Sequence, residues 1–473
     1  MPAFQQAHDF SITGSTFNDY SVNNSSGIGP LVYLQQFVAS GAAHDSHERF
    51  PPPQCHPATR ERVLRVILAW AKLPQNERLK RVLWLHAPAG MGKSAIAQTV
   101  AEQCDELDIL AATFFFHRLD PKRNRAERLV ASIVLQLCES IPELVQHVEA
   151  VIQSTPTILT KSLPIQLKRL IIDPMHKITP MDEDRVVIID GLDECVGAEP
   201  NRVDPAQEQL LILQLIDTLV SSDLPLCLLI CCRPESWLKD GFQSLARLWA
   251  RVADIDLCQH SDMDADIETY FCSEFTRIRE RSSVAASWPS THNLKTLIYK
   301  ASGQFIYAAT VIRYIDDPWG TPTDRLDVIL SADMPADHNP LQALDNLYLA
   351  ILTQCPNREL TLEVLGCLKV CVEACLLGGI SSTWPAPAHM LEAIRHWPRQ
   401  ALRGLHSLVR INGKATEAPF FHATFCEFLA SPVRSKSFHI PPYHCLQLLG
   451  DSCLLYLESQ SRTPLDWDTP FGQ

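Results

Sequence analysis

Residues 82–100 read VLWLHAPAGMGKSAIAQTV, and this stretch decides the fold. Its opening residues, Val82–Leu85, are apolar throughout, as in a strand buried on both faces of a sheet. From Ser94 onward the apolar positions Ile96, Ala97 and Val100 fall at helical spacing. Between strand and helix lies the turn Ala87-Pro88-Ala89-Gly90-Met91-Gly92-Lys93-Ser94, with Ala95 following. Small residues in such a turn let backbone N–H groups close around a phosphate at a helix N-terminus, where partial positive charge favours an anion. In that geometry Lys93 reaches the β- and γ-phosphates and the Ser94 hydroxyl ligates Mg²⁺. The pattern G-x-x-x-x-G-K-[ST] is met except at its first glycine, which is Ala87. Alanine is tolerable there if φ stays negative at the strand's end, whereas Gly90 and Gly92 are harder to replace. A chance glycine-rich turn would share these letters, but strand, helix and Lys-Ser together favour a phosphate loop.

About a hundred residues later the chain reads RVVIIDGLDE (185–194). An apolar strand ending in Asp190 beside a phosphate loop places a carboxylate where it can hold Mg²⁺, directly or through water. Asp193 and Glu194 follow at the strand's carboxyl edge, where ligands bind in open parallel sheets, and one of them can polarise an attacking water. Standing alone, this run would read as a solvated acidic loop. A third apolar run, Leu226–Cys232, ends in Arg233-Pro234. An arginine at that edge can sense a γ-phosphate and stabilise developing charge, although arginines after strands are more often plain surface residues.

Further β-type runs at Ala111–Phe116 and Ala253–Leu257 alternate with helical stretches at Ser94–Cys104, Glu127–Leu137 and Gln207–Val220. Apolar strands separated by helices predict an α/β domain with a parallel sheet covered on both faces. Before it, Thr59 is a candidate cap for a helix carrying Val63, Leu64, Ile67 and Leu68. Ile267, Tyr270, Phe271, Phe275 and Ile278 then form a helical stripe, and Asn339-Pro340 opens another helix. The expected organisation is an N-terminal arm over 1–48, largely disordered despite the strand-like alternation Phe10–Phe17; a nucleotide-binding domain over 49–257; a helical domain over 258–345; a winged-helix module over 346–435, with a short β-type run at Ser407–Ile411; and a C-terminal helix (444–458) and tail.

The bulk composition agrees. The 473 residues are 46% hydrophobic and 20% charged, which excludes collagen-like and wholly disordered classes. A net charge of −13 disfavours general binding to nucleic acid or anionic membrane. No apolar run approaches the roughly 20 residues of a membrane helix. The N-terminus, MPAFQQAHDF, has neither the basic nor the apolar region of an export signal. Most of the 16 cysteines lie in apolar runs, which suits reduced, packed thiols and a cytoplasmic location. His44, His47, Cys55 and His56 match no standard zinc spacing. Cys367, Cys371 and Cys375 recur on one helix face and read as core.

HAPAGMGKSAIA, VVIIDGLDE and CCRPE together resemble the NACHT subgroup of signal-transducing P-loop NTPases (the STAND class). More narrowly, they resemble fungal NACHT proteins with a nephrocystin-3-like N-terminal nucleotide-binding domain. The resemblance extends to ASGAAHDSHERFPPPQCHPATR (39–60), FFFHRLDPKRNRAERLVASIVLQL (114–137), SGQFIYAATVIRYI (302–315) and FFHATFCEFLASP (420–432). It implies a nucleotide-binding, helical and winged-helix core that clamps ADP when off and opens with ATP. Gly303-Gln304-Phe305 would approach the base, with Phe305 where the family often has proline. His422 would touch the β-phosphate of ADP, although a histidine between Phe421 and Ala423 reads equally as packed core. Thr59 and Arg60 would flank the nucleotide.

The expected function is therefore an ATP- or GTP-dependent conformational switch with Mg²⁺ and weak hydrolysis, signalling to other protein chains or to itself by oligomerisation, in the family often in self/non-self recognition or cell death. Two alternatives stay open: an AAA-like turnover ATPase, and a pseudo-NTPase scaffold that exchanges no nucleotide.

Overall fold

The computed structural model describes residues 29–197, 204–259, 262–282, 284–316, 320–331, 340–353, 355, 357–376, 405, 408, 409, 420 and 422–441. Five strands form one parallel sheet: β1 (Val82–His86), β2 (Leu110–Phe115), β3 (Arg185–Asp190), β4 (Leu226–Cys232) and β5 (Val252–Asp256), in the order β2-β3-β4-β1-β5. The all-apolar runs have both faces covered, as such strands require. Leu83, Leu85, Ile188 and Leu229 pack with Ile96 and Val100 under the helices Glu61–Ala71 and Lys93–Glu106. Trp84, Phe114, Val187 and Ile230 pack on the other face under Leu129–Ser140 and Pro205–Val220.

Strand order matters for chemistry. Because β4 lies between β1 and β3, the loops after β1, β4, β3 and β2 emerge side by side along one carboxyl edge. That edge carries the glycine-rich turn at Lys93, Arg233, Asp190 with Asp193 and Glu194, and then the segment after Phe115.

Residues 29–48 depart from expectation. Far from a loose arm, they dock on the sheet domain. The helix Pro30–Gln35 buries Leu34 beside the Leu129–Ser140 helix. Side chains of the domain then take up the segment's backbone: Ser132 Oγ accepts from Ala39 N–H at 2.9 Å, Thr113 Oγ1 from His44 N–H at 2.9 Å, and Gln98 Nε2 donates to His44 O at 3.0 Å. A polar composition suggested disorder, yet the partners that satisfy these groups lie far along the chain. The alternation at Phe10–Phe17 falls outside the described residues.

Beyond the sheet come the helices Met263–Arg281, Thr291–Ala301, Phe305–Ile315, Pro322–Ser331, Pro340–Thr353 and Arg358–Leu376, and later Ala423–Ala430. One apolar cluster runs through them, from Ile267, Phe271 and Val311 to Leu347, Tyr348, Phe425 and Phe428. The boundary expected at 345 falls inside the Pro340–Thr353 helix, whose single apolar face serves both sides of it. Within 346–435, Val409 and Phe420 form an antiparallel bridge. Most residues between them, the side chains of Cys367, Cys371 and Cys375, and the helix expected at 444–458 lie outside the described residues. The described cysteines include Cys138, Cys227, Cys231 and Cys232, all buried free thiols. No helix among the described residues is long and apolar enough to cross a membrane.

Candidate functional site

The turn after β1 passes directly into the Lys93–Glu106 helix, whose N-cap is Gly92 at φ 90°. Gly90 is also left-handed, at φ 81°, whereas Ala87 is not among the positive-φ residues. The one departure from the glycine pattern therefore sits where a Cβ is free of strain. No side chain caps the helix at Gly92, and a Cβ built there would meet nothing within 4 Å. The helix start is thus an open, electropositive end. Lys93 folds back over the turn, its Nζ donating to Ala87 O at 2.8 Å and Pro88 O at 3.0 Å.

Across from this turn Asp190 is buried at the end of β3. Burial pushes its pKa up to about 6, against a hydrogen bond from Ser94 and the charges of Arg49 and Lys93. Its Oδ1 has no hydrogen-bond partner among the described residues. A buried carboxylate oxygen with no partner, beside a serine hydroxyl and a lysine, fits a Mg²⁺ held by Ser94 and Asp190 and completed by phosphate and water oxygens.

Asp193 and Glu194, expected to share one role, are placed differently. Asp193 is committed to Arg233: its Oδ1 accepts the Arg233 N–H at 2.9 Å and its Oδ2 lies 3.1 Å from Arg233 Nε. Glu194 accepts from the Arg118 N–H at 3.0 Å and, among the described residues, has no ion pair of its own. Burial, with the neighbouring Asp193 charge, raises its pKa to about 7.

Two other parts of the chain close on the turn, and a third reaches Arg118 and Arg233 at the same edge of the sheet. From the N-terminal side, Arg60 takes a left-handed φ of 59° as the N-cap of Glu61–Ala71. It donates through Nη2 to Met91 O at 2.8 Å and through its backbone N–H to Asp266 at 3.1 Å, with its guanidinium 4.8 Å from the Phe305 ring. Thr59, expected to cap that helix, instead turns its hydroxyl back to His56 O at 2.6 Å. The cap position needs a backbone bend that Arg60 itself supplies.

From the helical part, the Phe305–Ile315 helix abuts the turn. Ile306 N–H donates to Gly90 O at 3.1 Å, and a Cβ on Gly90 would collide with Ile306 Cγ2. Gly303, at φ 77°, leaves room for Met263 and Met91, which a Cβ would approach to 3.1 and 3.5 Å. A cleft of about 220 Å³ opens beside Arg60, lined by Val63, Leu257, Met263 and Asp266 among others.

From the C-terminal part, His422 caps Ala423–Ala430, its Nδ1 accepting from Thr424 N–H at 3.1 Å. Burial, reinforced by the positive charges of Arg233 and Lys93, pushes its pKa down to about 3. The imidazole is therefore neutral, and because Nδ1 accepts, the proton is assigned to Nε2. Glu427, one turn further along this helix, sends Oε1 to Arg118 Nη1 at 3.0 Å and to Arg233 Nη2 at 3.2 Å.

The residues singled out from sequence thus gather at one edge of the sheet, with Thr59 the exception in its detailed role. Reading the sequence missed Arg49, Arg118, Asp266 and Glu427. Arg49 lies 3.5 Å over the Phe115 ring, and Phe115 is the register partner of Asp190. Three of the four stand inside stretches that carry the family resemblance, a signal of relevance but not of role.

No curated protein matches the chain. Residues 64–233 match the family model described as Nephrocystin 3, N-terminal. The match covers β1 to β4 and ends on Arg233, so the part of the chain carrying the turn at Lys93 and the carboxylate at Asp190 is similar to a nephrocystin-3 N-terminal domain.

Proposed function

We propose that the protein is a nucleotide-dependent conformational switch of the NACHT (STAND) type, binding ATP or GTP and its diphosphate with Mg²⁺ at the Lys93 turn. The observation that carries this reading is convergence. An N-terminal segment (Arg60) and a helical segment (Gly303–Ile306) meet one glycine-rich turn, and a C-terminal helix meets Arg233 through Glu427 at the same edge of the sheet. Such an arrangement lets one small ligand bias the packing of the whole chain, to the extent that it binds one packing better than the other.

In this reading backbone N–H groups of residues 90–94 cradle the β-phosphate, and Lys93 exchanges its two carbonyl partners for phosphate oxygens. Ser94 and Asp190 would hold Mg²⁺, which would supply neutralisation of phosphate charge. His422, neutral and carrying its proton on Nε2, donates to a diphosphate in the closed packing. The cleft beside Arg60 and Met263 takes the nucleoside end, with Phe305 under the Arg60 guanidinium. Glu194, not Asp193, is the carboxylate left to polarise water, because Arg233 holds both Asp193 oxygens. Slow hydrolysis by this group resets the switch. The signal passes to other copies or other chains, in a cytoplasmic setting.

The test is mass spectrometry of nucleotide released from natively purified protein, followed by calorimetry of the stripped chain with ATP and ADP. Bound diphosphate, and a loss of affinity of about a hundredfold or more in Lys93→Ala, are expected. Unchanged binding in Lys93→Ala would leave only a scaffold.

A further inference from the structure

The C-terminal helix brings an anion to the site as well as a histidine. Glu427 Oε1 lies between two guanidiniums, accepting from Arg118 Nη1 at 3.0 Å and from Arg233 Nη2 at 3.2 Å. The two arginines follow β2 and β4, on either side of the strand that ends in Asp190. Arg118 and Glu427 are about one-third and one-quarter exposed. Neither belongs to the phosphate turn, and the reading above gives neither side chain a contact with nucleotide.

We infer that Arg118 and Glu427 discriminate triphosphate from diphosphate: the Glu427 carboxylate occupies, between Arg118 and Arg233, the place that a γ-phosphate takes. This rests on the nucleotide reading above and specifies its regulation. A diphosphate ends at the β-phosphate, beside Lys93 and His422, and leaves the Arg118–Glu427–Arg233 bridge intact. A triphosphate places a further anion against Arg233 and competes with Glu427 for both cations. It brings three acceptor oxygens where the carboxylate uses one. Arg118 has a donor in reserve for it, since its Nε is buried without a partner among the described residues. Because His422 caps the helix on which Glu427 rides, displacing Glu427 works against the docking of that helix. The γ-phosphate and the C-terminal helix therefore exclude each other at one pair of arginines.

The test compares the affinities of the full chain for ADP and for a non-hydrolysable ATP analogue, with Mg²⁺, in wild type, Glu427→Gln, Glu427→Asp and Arg118→Gln. Glu427→Gln is expected to shift the affinity ratio toward triphosphate by about tenfold or more, and Arg118→Gln to shift it toward diphosphate by a similar factor. Glu427→Asp, keeping the charge on a shorter arm, is expected to shift it toward triphosphate by less. Opposite signs separate this from a structural defect, which weakens both nucleotides together. A ratio unmoved by Glu427→Gln and Glu427→Asp in protein that still binds ADP overturns the inference, as does a shift of the same sign in Glu427→Gln and Arg118→Gln. Wild type that binds neither nucleotide overturns the switch reading itself, and this inference with it.

Discussion

Asp190→Asn is expected to stabilise the empty protein while destroying its response to Mg²⁺-nucleotide. Asp190 is only 3% exposed, and its pKa in the fold is about 6 against an ordinary 3.8. Above pH 7 the ionised carboxylate therefore costs about 3 kcal/mol relative to the unfolded chain. Its largest cause is burial, and the Ser94 hydrogen bond and the Arg49 and Lys93 charges offset it only in part. Asparagine keeps an oxygen for Ser94 and removes the charge. Because the pKa is raised, the cost is full above about pH 6, fades as pH falls, and is gone below the ordinary carboxylate range. In nucleotide-stripped, EDTA-treated protein at pH 7.5, Asp190→Asn should raise Tm on the order of 5 °C by scanning calorimetry. The gain should disappear near pH 4. With Mg²⁺ and nucleotide the proposed function has the order reverse, since only wild type would keep the carboxylate assigned to the metal. A variant less stable than wild type at pH 7.5 without ligand, or a difference constant from pH 4.5 to 7.5, would refute the assignment of Asp190 as a buried, under-compensated carboxylate.

Three further outcomes are expected. Gly90→Ala should lose about 1–2 kcal/mol more than Gly92→Ala in thermal denaturation, because both incur left-handed strain but only the Cβ at 90 meets Ile306; equal losses would deny that the Phe305–Ile315 helix seats on the turn. Arg60→Ala should destabilise by about 1–3 kcal/mol, since it removes the bond to Met91 O and the guanidinium 3.8 Å from the Asp266 carboxylate, while the backbone bond to Asp266 stays; a loss under about 0.5 kcal/mol in denaturant melts would show the contact to be idle. Any phosphate release should rise with pH through about 7, as Glu194 loses its proton and becomes able to accept one, and should be lost at every pH in Glu194→Gln; activity surviving in Glu194→Gln would move the role elsewhere.

The sheet was legible because its signal is local. Each of the five strands shows as a β-type run within a residue or so of its observed ends; the inner strands β1 and β4 have no polar positions to blur them before their last residues, whereas the edge strand β5 (VADID) shows only through its alternating apolar residues. The turn at Lys93 was legible for the same reason: its glycines, lysine and serine are contiguous, and Ala87 proved to sit where a Cβ costs nothing. The docked segment 29–48 was not legible, because its stability comes from Ser132, Thr113 and Gln98, side chains supplied from afar. Thr59 misled because a threonine before an apolar stripe resembles a cap, whereas the hydroxyl had a nearer acceptor in His56 O.

The amino-acid order alone determined a parallel α/β sheet, the position of the glycine-rich turn after its first strand, and which acid follows which strand. Tertiary structure decided the distribution of charge among those acids. Asp193 and Glu194 are neighbours in the chain, yet one is neutralised by Arg233 and the other is left to titrate near pH 7. It also brought Glu427 to Arg118 across 309 positions. Periodicity and short motifs record which groups a local backbone can hold, but the pKa of a buried carboxylate depends on which cations the rest of the fold carries to it.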